Sequence, residues 1–359
     1  MSDPRSLPPS RRLLIGGAMA LAACDGRAET TQALPANAAL KALSSAPLGV
    51  CLASDQIAEP VIVDLLLRHF DQVTPEWEMK MEAVLKEDGG FDFSLPDRIA
   101  GFAKAQGLGL HGHALIWYAQ DAPAFKPLEG KGKAFADAYR NYILAVAGRY
   151  RGGVRGWDVV NEPISEEGGG YRDCTWRKNL GMDYVRLAFE HAREADPAAV
   201  LFLNDYNLEA KPAKLDTFLR LTESLLKGGA PLGGLGTQTH VSADSPRGEI
   251  ARSIKALASF GLPIHISEVD VSTRQLRSRL PRPDVLGDQS RVVEEIAQAF
   301  FDLPQRQRYA LTFWGLRDRD SWLRRPPYAD GDKPLLFDDA GRPKPAFEAL
   351  GRTLVARPA

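Results

Sequence analysis

Gly156-Trp157-Asp158-Val159-Val160-Asn161-Glu162-Pro163 is a short apolar run that stops abruptly at an amide and a carboxylate. Ile264-His265-Ile266-Ser267-Glu268-Val269-Asp270 follows the same plan about a hundred residues later. Each reads as a buried strand of a parallel sheet, near 156–160 and 263–267, carrying polar residues at or just past its C-terminal end. Outward from these two, short apolar runs recur near residues 48–53, 69–74, 109–115, 200–204, 234–238 and 308–313. Amphipathic stretches such as 134–149 and 182–194 separate them, which is the βα rhythm. Eight such strands predict a single (β/α)8 TIM barrel of the α/β class over an open doubly wound sheet.

In such a barrel the chemistry lies at the C-terminal ends of the strands. Several runs here end in residues that are costly to bury: Glu76, His113, Asn161 with Glu162, Asn204 with Asp205, Gln238 with His240, Glu268 with Asp270, and Trp314. A lone histidine at such a place is usually a satisfied core group. A whole set at equivalent positions converges on one rim, which packing does not explain.

Cleavage of a glycosidic bond needs an acid to protonate the departing oxygen and a carboxylate to meet the developing positive charge. Glu162 and Glu268, on two different strands, suit the acid/base and the nucleophile. Asn161 can donate to a sugar hydroxyl beside the reacting carbon. His240 can donate to Glu268 while Asp270 fixes its tautomer. Trp117, Trp314 and Trp322 offer apolar faces for pyranose rings. The carboxylate gap that separates retention from inversion is a property of space, not of sequence.

Taken together, these runs resemble glycoside hydrolase family 10, the endo-1,4-β-xylanase family. The segments that carry the resemblance are Trp157 to Pro163, Ile264 to Asp270, His111-Gly112-His113-Ala114-Leu115-Ile116-Trp117, Asn204-Asp205-Tyr206-Asn207, Thr237-Gln238-Thr239-His240, Thr312-Phe313-Trp314-Gly315 with Asp318 to Trp322, and the closing Pro334 to Asp338 with Lys344 to Phe347. They run in order from about residue 45 to 355. The resemblance implies a retaining double displacement on xylan or xylo-oligosaccharides, without metal or cofactor. It implies that His113, Asn161, Gln238 and His240 surround the sugar at the cleavage point. Glu76 and Lys80 would hold the next sugar on the non-reducing side, covered by Trp314 and Trp322. The sequence departs from the family where Trp77 replaces a common asparagine, Met81 a tryptophan and Tyr118 a frequent histidine. Those changes bear on chain-length preference and on tolerance of side groups. The rival readings are another barrel glycosidase (a cellulase or mannanase) and a non-catalytic carbohydrate-binding lipoprotein at the cell surface.

Composition agrees with a neutral partner. Across 359 residues, 45 Lys and Arg stand against 46 Asp and Glu, so no global field favours nucleic acid. The six histidines show no metal-ligand spacing, and no glycine-rich phosphate loop occurs. Ser10-Arg11-Arg12-Leu13-Leu14-Ile15 resembles a twin-arginine export signal, and Leu21-Ala22-Ala23-Cys24 resembles a bacterial lipobox. Residues 1–23 are therefore read as a signal peptide, 24–45 as a tether or short first helix, and 46–359 as the catalytic barrel. The mature chain is expected to be exported, periplasmic or at the cell surface, anchored through a lipidated Cys24, and monomeric. Cys51 and Cys174 lie over 120 positions apart and are read as two buried free thiols.

Overall fold

The computed structural model describes residues 38–119, 123–167, 169–274, 283–328 and 331–357. Eight parallel strands close on themselves: β1 Leu48–Leu52, β2 Gln72–Pro75, β3 Gly109–Gly112, β4 Gly156–Asn161, β5 Val200–Asp205, β6 Gly234–Thr237, β7 Ile264–Ser272 and β8 Arg308–Phe313. Each pairs with the next in chain order, and β8 returns to β1, pairing Leu48 with Leu311. This is the predicted (β/α)8 barrel. β4 and β7 are buried along their whole length, as strands covered on both faces must be.

Helices such as α1 Pro60–His69, α2 Ser94–Ala105, α3 Lys133–Arg149 and α4 Asp183–Ala195 wrap the sheet. Their apolar stripes (Tyr139, Ile143 and Val146 on α3; Val185, Phe189 and Ala192 on α4) are buried and join the core between sheet and helices. Phe202, Tyr309 and Ala310 form a second, separate cluster, where Phe202 and Tyr309 meet at 4.5 Å between ring centroids. His111 and His265 pack edge-on against the same rings, so aromatic and imidazole groups fill space where aliphatic layers are common.

Two expectations change. The run 69–74 begins too early, because α1 continues to His69 and the strand starts only at Gln72. The run 263–267 stops too early: the strand His240–Ser242 pairs beside β7, His240 facing Asp270, and extends the sheet to Ser272. Of the two readings given to 24–45, the described part takes the short helix: Leu40–Leu43 is one helical turn, with Leu40 fully buried in the core. The signal peptide, the lipobox with Cys24 and the rest of the tether lie outside the described residues. Cys51 and Cys174 are both buried and free.

Candidate active site

The C-terminal ends of the strands open into a cleft of about 950 Å³. Glu76, Lys80, His113, Trp117, Asn161, Glu162, Gln238, His240, Glu268, Asp270, Trp314 and Trp322 all line it. Every residue given a role from the sequence is thus brought to one place, while Asn204 and Asp205, also expected at the rim, are fully buried and do not line the cleft.

Two backbone devices aim the side chains. Glu162 follows β4 with φ 59°, and Thr239, between Gln238 and His240, has φ 62°. Left-handed φ is costly for residues with a Cβ and is held only where the surroundings over-determine it. Here Glu162 N–H donates to the Asn204 carbonyl at 2.8 Å, and Arg172 Nε donates to the Glu162 carbonyl at 3.1 Å. The second device is an absence of bulk. Gly236 pairs in register with Asn204, and a Cβ on Gly236 would lie 2.3 Å from Asn204 Oδ1. Glycine alone leaves room for that amide.

The amide of Asn204 then ties the site together. Its Nδ2 donates to Glu268 Oε1 at 2.9 Å and to Asn161 Oδ1 at 3.0 Å, while Ser267 Oγ donates to its Oδ1 at 2.9 Å. Gln238 Nε2 donates to Asn161 Oδ1 at 3.1 Å and to Glu162 Oε1 at 2.9 Å. One hydrogen-bonded path, through Gln238, Asn161 and Asn204, therefore joins the two carboxyl groups. Because Asn161 Oδ1 is taken twice, its Nδ2 remains the donor, 3.3 Å from Glu162 Oε1.

Around Glu268 the charges are layered. His240 Nδ1 is 2.8 Å from Asp270 Oδ2, and its Nε2 is 3.5 Å from Glu268 Oε2. Asp270 Oδ2 also accepts from Trp322 Nε1 at 2.8 Å. Burial opposes a charged His240, but Asp270 and Glu268 outweigh it and raise its pKa to about 10. On the other side, His113 Nδ1 is 2.8 Å from Asp158 Oδ2 and 4.0 Å from Glu268 Oε1. Burial pushes the Glu268 carboxyl up, yet the interactions with His113 and His240 prevail and hold it below the ordinary range. A carboxylate kept ionised in a dry site is suited to attack.

His113, Asp158 and Glu268 bring ligand atoms within 4.8 Å, as do His111, Asp158 and His265, the spacing a cation would need. Asp158 Oδ2 is already 2.8 Å from His113 Nδ1 and 3.2 Å from His111 Nε2, while His265 Nε2 pairs with Thr312 Oγ1 at 2.8 Å. Sequence spacing could not find either group, since each draws on three strands.

At one end of the cleft, Lys80 Nζ sits 4.7 Å over the Trp117 ring. Arg325 grips Glu76 with both prongs, at 3.0 and 3.3 Å. Arg172 stacks 3.8 Å over Tyr118, whose ring lies 5.9 Å from that of Trp117, and donates to Tyr206 Oη at 3.1 Å. Sequence reading gave no role to Asn204, Asp158, Arg172 or Arg325. An aspartate in mid-strand was a signal for Asp158, since burying a lone charge demands a partner. Nothing local marks Arg325, whose partner is 249 positions away.

The sequence pattern of glycosyl hydrolase family 10 matches residues 37–353. Endo-1,4-β-xylanase A of Caldicellulosiruptor sp. strain Rt8B.4 is 37% identical over 320 residues, covering 84% of this chain and 45% of that one. The endo-1,4-β-xylanase of Geobacillus stearothermophilus is 36% identical over 298 residues, covering 79% and 88%. Among solved structures, the endo-1,4-β-xylanase of Caldicellulosiruptor owensensis superposes with a TM-score of 0.82 at 31% identity, covering 88% of this chain and 99% of that one. A mutant solved in complex with xylotriose gives 0.80 at 30% identity, covering 88% and 99%.

Proposed function

The chain belongs to glycosyl hydrolase family 10, and from that premise we propose that it is a retaining endo-β-1,4-xylanase acting on xylan or xylo-oligosaccharides. One observation carries the reading: Glu162 and Glu268, from the ends of two strands, share a cleft and one hydrogen-bonded path.

In the first step a Glu268 oxygen attacks the anomeric carbon as the bond from that carbon to the departing oxygen breaks. Glu162 gives its proton to that oxygen, and the sugar is left as an ester of Glu268. In the second step Glu162 takes a proton from water, the water oxygen bonds to the anomeric carbon, and Glu268 leaves as carboxylate. Two inversions retain the configuration. Asn204 and the His240 imidazolium each stabilise the carboxylate before and after the ester stage. Asn161 Nδ2 faces the sugar, and Trp314 and Trp322 supply its apolar walls.

The reading extends to export: the twin-arginine segment directs secretion and Cys24 carries a lipid, while the catalytic barrel works as a monomer. Palmitate labelling that persists in Cys24→Ser would overturn the anchor, and light scattering checks the monomer. For the reaction itself, proton NMR of xylohexaose digestion is decisive. The β-anomer should appear first at internal cleavage sites. An initial α-anomer would remove the ester stage, and turnover of cello-oligosaccharides alone would remove xylan.

A further inference from the structure

We infer that Arg325 is a direct sugar contact at the Glu76 end of the cleft, beside Trp77 and Tyr328, and strengthens the selection for a second sugar, which the family resemblance places with Glu76 on the non-reducing side. This rests on the reading of the cleft as a xylan-cleaving site. Arg325 reaches across from the segment after β8 to the end of β2, and its guanidinium also donates to the Asp320 carbonyl at 3.0 Å. Three of its five N–H groups are thereby used, leaving two without a partner among the described residues. The pair is uneven: the Arg325 side chain is 54% exposed and that of Glu76 14%, so the unused edge of the guanidinium is on the water side.

The surroundings point to a ligand independently. Among the described residues four large apolar side chains are exposed: Val61, Trp77, Leu95 and Tyr328. Two of the four, Trp77 and Tyr328, line this mouth, and Tyr328 stands edge-on to Trp322 at 5.0 Å. Trp77 points its Nε1 at Glu82, 3.4 Å away, so an indole face rather than an N–H is left for the cleft. Aromatic faces beside a planar donor–acceptor fork match a pyranose, whose ring C–H groups stack while adjacent hydroxyls bridge donor and acceptor. Trp77 turns its N–H away, and Lys80 and Arg325 supply side-chain donors at this wall.

The test compares kcat/KM for an aryl β-xylobioside, which fills two sugar positions, with that for an aryl β-xyloside, which fills one. In Arg325→Ala the ratio of the two should fall about tenfold, the loss of one charge-assisted hydrogen bond. Arg325→Lys, which keeps the charge without the fork, should fall between. A ratio equal to wild type in both variants would overturn the inference. Arg325→Ala is also made in a Glu76→Ala background, where a further fall in the ratio is expected. No further fall would show that Arg325 acts only by holding Glu76, which also overturns direct contact. A wild-type enzyme that cleaves neither xyloside but does cleave an aryl cellobioside would sink the xylanase reading itself, and this inference with it.

Discussion

The floor of the cleft and its Glu76 mouth are built on opposite terms. On the floor, Asn161, Glu162, Asn204, Gln238 and Glu268 are each no more than 7% exposed, and their polar atoms bond to one another between strands. At the mouth, Trp77 and Tyr328 are 38% and 40% exposed, and the polar groups are tied between connecting segments. Burial explains the difference. A polar group taken out of water must be paired, so the floor admits one arrangement and fixes the chemistry. Groups left in water can be exchanged at small cost, so the mouth decides which chain is held.

The hardest way to break the floor is to remove its ionised carboxylate. Glu268→Ala should lower kcat by at least about 10⁴-fold. Added azide or formate should then restore turnover with an inverted product, read by NMR. Retained activity in that variant would take Glu268 out of the nucleophile role.

The next effect tests whether the bracing matters or only the carboxylates do. Asn204→Ala removes the donor to Glu268 and should cost about 10²- to 10³-fold in kcat, as for other buried donors at charge-developing sites. Gly236→Ala should reproduce much of that loss while deleting no polar group, because its methyl would displace the Asn204 amide. Normal kcat in Gly236→Ala, with a crystal structure showing Asn204 moved, would show that the path between the carboxyl groups is dispensable.

A third effect follows from the charge on His240. Its pKa is raised to about 10, above the ordinary value of 6.5. The stability this contributes is fully present below about pH 6.5 and is lost as pH rises through about 10. Glu268 is shifted the other way: its contribution is present above the ordinary carboxylate range and is lost as pH falls through its lowered value. Melting temperature measured from pH 7 to 11 should therefore decline more steeply in wild type than in His240→Asn. Parallel curves would assign the alkaline loss to other groups.

This contrast also explains what the sequence could disclose. The barrel and the floor were legible because Asn161, Glu162, Gln238, Glu268 and Asp270 stand at or near the ends of apolar runs, where polar residues are conspicuous. Asn204 was visible as a strand end, but its bond to Glu268 depends on strand register and on the missing Cβ of Gly236. The length of β7 was hidden, since the strand that extends it lies in another stretch of chain. Arg325 was hidden more deeply. Its place is set by how the connection after β8 folds back, and no periodicity encodes that.

The smallest effect belongs to the mouth, at Trp77. Its indole lines the cleft, more than a third exposed, with its N–H turned to Glu82. Trp77→Asn removes the apolar wall and substitutes an amide able to bond a sugar hydroxyl. One exposed hydrogen bond gained, less the stacking area lost, amounts to at most about 1 kcal/mol, no more than a few-fold change in kcat/KM. The change should favour longer or decorated xylo-oligosaccharides, since these extend past the position the indole occupies. It should be seen in KM with kcat little altered, because the floor is untouched. Kinetics that stay unchanged from xylotriose to xylohexaose would mean that the sugars never reach Trp77. A fall in kcat comparable to that of Asn204→Ala would break the division more thoroughly, by showing that the mouth and the floor are one rigid unit.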